Sequence, residues 1–231
     1  MGDDRIFYRL DGLSLTRVST FPLEHEWEAH LDFTELFCFS YTWMGHKFVV
    51  VTFPISGVTY EFDIASGLWH ERESWDQNNR SLGRWRANCH CQAYNLQLIG
   101  DCVSGKIGKL AHHVYTEFDN TVQMLAVSPP IHADRKRVFI PRFEMDIEAG
   151  VGIENGQGSD PQVMLRYSKD GGFTWSDRQL WNSIGSVGSY RQRMRWLRLG
   201  QAREWVFEVT ISDPVKRNVI AAHADITVGA A

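Results

Sequence analysis

Across its 231 residues the chain has no apolar run near the roughly 18 residues that a membrane-spanning helix needs. Its first residues, Met-Gly-Asp-Asp-Arg, are polar and acidic, which does not match a secretory leader. Four cysteines are too few for a disulfide scaffold at this length, so synthesis in a reducing compartment is expected. Amphipathic patterning long enough for a three-turn helix is missing. So are a Ser/His/Asp nucleophile signature and a phosphate-cradling Gly loop. A net charge of −4 argues against a surface devoted to coating nucleic acid and leaves local basic patches open.

Aromatic residues are plentiful, with nine Trp and thirteen Phe. Such side chains favour half-buried strand positions and anchor interfaces. The composition, 43% hydrophobic and 23% charged, is that of a soluble globular protein large enough for one β-rich domain. Residues 1–32 are polar and weakly patterned and are expected to be an N-terminal connector; residues 33–231 are expected to form the folded domain. Short apolar runs alternate there with Gly, Asp, Asn and Pro turn signals. Val163, Leu165 and Tyr167 share one side of a strand, and Trp205, Phe207, Val209 and Ile211 repeat the pattern. Together these features predict an all-β fold.

The most specific local signal is Ser168-Lys-Asp170-Gly-Gly172-Phe-Thr174-Trp175, the Asp-box pattern S-x-D-x-G-x-T-W. Asp170 is placed to accept backbone N–H groups across a hairpin turn, Gly171 and Gly172 allow positive φ, and Trp175 can fold back as an apolar anchor. The pattern specifies a local structure, not an activity. A weaker repeat joins Asp63-Ile-Ala-Ser-Gly67 to Asp101-Cys-Val-Ser-Gly105, 38 positions on, and the turn at Asp170 follows at nearly twice that interval. Propeller blades repeat at about 40–50 residues, so the spacing favours a β-propeller, or part of one, built of short antiparallel blades, over a sandwich or jelly roll.

Ordered phrases along the chain resemble a known family. They include Gly45-His46-Lys-Phe-Val-Val-Val-Thr-Phe53-Pro54, Trp69-His70-Glu71-Arg72-Glu-Ser74, Gly100-Asp101-Cys-Val-Ser-Gly105-Lys-Ile-Gly108 and Arg142-Phe-Glu144. Ser186-Val-Gly188-Ser-Tyr190 and Trp196-Leu-Arg-Leu-Gly200-Gln-Ala-Arg203 complete the set. The sequence resembles the packaged-DNA stabilization proteins of short-tailed phages, the tail-hub or nozzle proteins similar to gp10 of phage P22, and matches their C-terminal part. That resemblance implies a non-enzymatic β-propeller protein of the virion tail, made in the host bacterial cytoplasm, with no cofactor. It implies a homo-oligomeric ring below the portal and its adaptor protein, contacts with tail needle and tailspike proteins, and passive contact with packaged DNA. Family members are about twice as long, which suggests a shortened or prophage-derived form. The rival reading is a sialidase-like propeller that acts on or binds carbohydrate.

Other clusters have bland readings. Cys89-His90-Cys91, with Cys102 nearby, is a poor zinc knuckle, and burial of the thiols as small apolar groups is expected, with no metal. His112-His113 reads as a loop or strand-edge pair. Carboxylates such as Glu71, Glu73, Glu117, Asp119, Glu144 and Asp146 could in principle flank a glycosidic bond, but Glu144, Asp146 and Glu148 are better explained as a solvated strand face. Two basic stretches, Arg135-Lys136-Arg137 and Arg191, Arg193 and Arg195 followed by Arg198, are candidate protein-partner contacts, the alternating three being expected on one strand face.

Overall fold

A computed structural model describes residues 1–2, 4–29, 33–76 and 78–229. The described residues are β-rich with one short α-helix, and they divide into two compact units, Met1–Ala111 and His112–Ala231.

The first unit opens with a hairpin of β1 (Tyr8–Asp11) and β2 (Ser14–Arg17), then α1 (Phe21–Glu28). A four-stranded antiparallel meander follows: β3 (Phe37–Trp43), β4 (His46–Phe53), β5 (Val58–Asp63) and β6 (Leu68–Glu71). Next come a hairpin of β7 (Glu73–Asp76) and β8 (Ser81–Arg84), and a three-stranded meander of β9 (Ala87–Ala93), β10 (Leu96–Asp101) and β11 (Ile107–Lys109). Two small cores hold these pieces. Phe7, Trp27, Val51, Phe53 and Tyr60 form one, rich in edge-to-face ring contacts; Tyr41, Val50, Trp85, Ala87 and Ile99 form the other.

The expected connector over 1–32 is corrected here. Trp27 on α1 is fully buried, Phe7 packs on it at 5.0 Å between ring centroids, and Trp69 Nε1 donates to Val18 O at 2.8 Å. A few of the segment's apolar residues, Phe7 and Trp27 with Val18 and Leu23 packed against them, enter the core, while Leu10, Leu13, Leu15 and Phe21 stay exposed, and a polar average conceals the former. Residue 3 and residues 30–32 of the expected connector lie outside the described residues.

The repeat at Asp63 and Asp101 is a repeated turn. Each Asp ends a strand, β5 or β10. Asp63 accepts the Ala65 N–H at 3.0 Å and the Ser66 hydroxyl at 2.8 Å; Asp101 accepts the Val103 N–H at 3.1 Å and the Ser104 N–H at 3.0 Å. Each also meets a basic side chain, His46 Nδ1 at 2.8 Å for Asp63 and the Arg86 guanidinium, with Nε at 2.9 Å, for Asp101. Arg86 holds the Asp101 carboxyl far below the usual carboxylate range, with help from Ser104. At Asp63 burial opposes ionisation, but bonds from Ser66, His46 and the Ala65 N–H outweigh it and bring the pKa to about 2.

The second unit begins with β12 (Thr116–Glu117) and β13 (Asn120–Thr121). Its larger sheet contains β14 (Met124–Val127), β15 (Ile131–His132), β17 (Gln162–Ser168), β18 (Leu180–Ser183) and β20 (Glu204–Ile211), in the order β14-β20-β17-β18 with β15 also on β20. The smaller sheet has the order β19-β16-β21, from β16 (Val138–Ile147), β19 (Met194–Ala202) and β21 (Val219–Val228). One core of fifteen buried residues fills the space between the two sheets, and Phe143 of one stacks on Phe207 of the other at 4.5 Å.

This unit is a two-sheet sandwich, so the propeller expected over 33–231 does not extend through it. The reason is strand length. β16, β19 and β20 run eight to ten residues, and their alternating inner faces, such as Val138, Ile140, Phe143, Met145 and Ile147 on β16, share one core. Period-two patterning and Asp-Gly turns are common to blades and sandwiches and could not separate them. The turn at Asp170 also differs from the repeated pair, as its bonds reach four residues forward to Thr174.

Candidate functional site

The Asp-box hairpin leaves the end of β17. Ser168 Oγ donates to Asp170 Oδ1 at 2.6 Å and accepts the Gly172 N–H at 2.8 Å. Asp170 accepts the Thr174 N–H at 2.8 Å on Oδ1 and the Thr174 hydroxyl at 2.6 Å on Oδ2. Gly171 and Gly172 have φ of 74° and 105°, where a side chain would strain the backbone. The hydroxyls of Ser168 and Thr174, with the Thr174 N–H, hold the Asp170 carboxyl at about 2. Trp175 bridges back to Ser168 but is half-buried; it lies under the Arg166 guanidinium, whose Cζ is 5.4 Å from the ring centroid.

Beside this hairpin the chain forms a groove of about 990 Å³. Trp175, Trp181, Arg166, Arg178, Arg195 and Asp177 line it, with Gln179 and the edge of Trp196 completing the wall. Its floor is braced where β18 meets β19: Asn182 Nδ2 donates to Arg195 O at 2.9 Å, and Trp196 Nε1 donates to Leu180 O at 3.0 Å. Arg166 is clamped by Glu208 through two bonds of 2.7 and 2.8 Å, so its charge is compensated in place. Arg178, Arg195 and Asp177 make no ion pair among the described residues. Trp181 points outward from edge strand β18 and is 60% exposed. Of the groove residues, sequence patterning singles out Trp175 as an Asp-box anchor and Arg195 as a partner contact, and it gives no site role to Arg166, Arg178, Trp181 or Trp196. The signal was present in Trp175-Ser-Asp-Arg-Gln-Leu-Trp181, two indoles bracketing an Arg, but only the β17–β18 and β18–β19 neighbours make a groove of it.

The two basic stretches do not meet. Strand register sets Val138 opposite Ala202 and Glu144 opposite Arg195, so Arg137 and Arg195 lie near opposite ends of the β16–β19 pair. Arg135 occupies an exposed turn closed by the Lys136 N–H on Ala133 O, and Lys136 and Arg137 are exposed. The expected strand face of Arg191, Arg193 and Arg195 is corrected: β19 starts at Met194, so Arg191 and Arg193 precede the strand. Arg193 reaches Glu144 at 4.0 Å.

Other clusters settle as follows. Cys89 and Cys91 are exposed on β9, against the expected burial, while His90 takes the packed side, stacking on Phe39 and bonding Gln97 at 2.6 Å. Period-two geometry gives one side of that strand to the aromatic core, and His90 holds it. Among the described residues no three His, Cys, Asp or Glu side chains gather as a metal site. Glu144 and Glu148 are met by Arg142 and Lys216 at 3.9 and 2.7 Å, and the His223 ring lies 3.4 Å from Asp146. His112 and His113 sit edge to face in a turn. Glu71 and Glu73 titrate above the usual range, mainly through desolvation.

The class that the second unit defines is an antiparallel β-sandwich. Residues 123–227 match the family model described as Bacteriophage P22 Gp10, beta-sandwich. The match lies within the second unit and takes in both facing sheets, so that part of the chain is similar to the Gp10 beta-sandwich. No curated protein matches the chain.

Proposed function

We propose that the chain is a non-enzymatic structural component of a short-tailed phage virion, acting by assembly in the tail hub or nozzle. The observation that carries this reading is the Gp10 sandwich match over 123–227. Its partners are further copies in a ring, the portal-adaptor protein, tail needle and tailspikes, and its contact with packaged DNA is passive. The edge of the smaller sheet supports assembly. Among the described residues, ten-residue β21 pairs with β16 alone; it carries no Pro or Lys and exposes Ile220, Ile226 and Val228. A long exposed sheet edge of this kind offers unpaired backbone groups for strand addition. In the first unit, the four-stranded β3–β6 meander and the β9–β11 meander, each closed by the same Asp turn, are read as blades of a partial propeller.

Mixing the purified chain with portal–adaptor complexes, followed by sedimentation, tests the proposal. Co-sedimentation of the chain is the expected result. Hydrolysis of a glycoside substrate with no association to the complex would overturn it.

A further inference from the structure

The groove beside the Asp-box is not absorbed by an assembly role, and its chemistry is specific. Trp181 presents an exposed indole face from a sheet edge, and Trp175 is fixed nearby by its stack with Arg166. Pyranose rings bind such faces through their apolar C–H side, while polar groups around the rim fix orientation. Glu208 already satisfies Arg166, which leaves Arg178 and Arg195 as the cations with no ion pair among the described residues. A guanidinium matches a carboxylate in bidentate geometry. Asp177 and Gln179 add acceptors suited to sugar hydroxyls. The volume, about 990 Å³, accommodates an oligosaccharide segment.

A nucleic-acid strand would use the same aromatic faces but needs a track of cations along its backbone. Here Asp177 lies in the groove, the chain's net charge is −4, and the other basic stretch is near the far end of the β16–β19 pair. The balance favours a sugar.

We propose that this groove binds a carboxylate-bearing oligosaccharide, one ring stacked on Trp181 and its carboxylate held by Arg178 and Arg195. The proposal does not rest on the assembly reading, and sugar binding and portal association are measured in separate experiments. The test is tryptophan-fluorescence titration and saturation-transfer NMR on the full chain. The probes are hexagalacturonate, an alginate hexamer and a hexamer of sialic acid, with maltohexaose and an oligothymidylate as comparators.

Binding of at least one acidic hexamer is expected, weakened about tenfold or more by Trp181→Ala and by Arg195→Gln. Because Trp181 and Arg195 are exposed, the melting midpoints of both variants should match the parent, which separates lost binding from lost folding. Failure of all three acidic hexamers to bind would overturn the proposal. So would equal binding of maltohexaose, tighter binding of oligothymidylate, or affinity unchanged in both variants.

Discussion

The two units solve the same problem of holding β-strands together in different ways. The second builds one core of fifteen residues between two sheets, and the indole N–H groups of its buried tryptophans are satisfied: Trp205 Nε1 donates to Val138 O and Trp196 Nε1 to Leu180 O, both at 3.0 Å. The first divides its apolar residues between two clusters of five, and Trp27 Nε1 and Tyr60 Oη make no hydrogen bond of normal geometry there. It compensates with polar clamps at strand ends, of which Asp101 with Arg86 is the most buried. A large shared core makes stability collective; small cores shift it onto individual rings and clamps.

That contrast can be broken by mutation. Trp205→Ala should have the largest effect, about 3–5 kcal/mol in denaturant unfolding, because it opens a cavity in a shared core and removes the bond to Val138 O. Trp27→Ala is expected at the lower end of that range, since a smaller cluster has fewer neighbours to disturb; a cost above that of Trp205→Ala would reverse the comparison. Asp101→Ala should follow at about 3 kcal/mol, as it removes the carboxylate that the Arg86 guanidinium bonds, at a pair whose side chains are 13% and 0% exposed.

Asp170→Ala should lower the melting midpoint by several degrees without abolishing folding, because the hairpin loses the bonds to Ser168 and Thr174. An unchanged midpoint would show the turn to be held by its glycines alone. Acid should act on the same groups. The folded pKa of Asp63 and of Asp170 is about 2, below the ordinary 3.8. Their contribution is therefore complete above about pH 4 and is lost as pH falls toward 2. Melting midpoints measured across that window should fall, and less steeply in Asp170→Ala. The smallest effect is expected for Tyr60→Phe, which removes a buried hydroxyl without a normal hydrogen bond and should leave calorimetric stability nearly unchanged.

Some of this is legible in the sequence alone. Alternation in Val163, Leu165 and Tyr167 and in Trp205, Phe207, Val209 and Ile211 marked β17 and β20. The spacing of Asp63 and Asp101 marked two equivalent turns. Trp27 was not legible as core, because a single indole on an eight-residue helix leaves little periodic signal. Cys89 and Cys91 showed the reverse error: residue type suggested burial, while the strand gave its packed side to His90.

By itself the sequence determined the all-β class, the Asp-turn hairpins and the similarity of residues 123–227 to the P22 Gp10 beta-sandwich. These are local or cumulative properties: period-two patterning, a few Asp and Gly positions, and an ordered set of phrases. Only the tertiary structure decided that the second unit is a sandwich and that Trp175, Trp181, Arg178 and Arg195 line one groove. Those outcomes depend on which strand edges lie side by side. Sheet order comes from the packing of strands distant in sequence, and the order of residues along the chain does not record it.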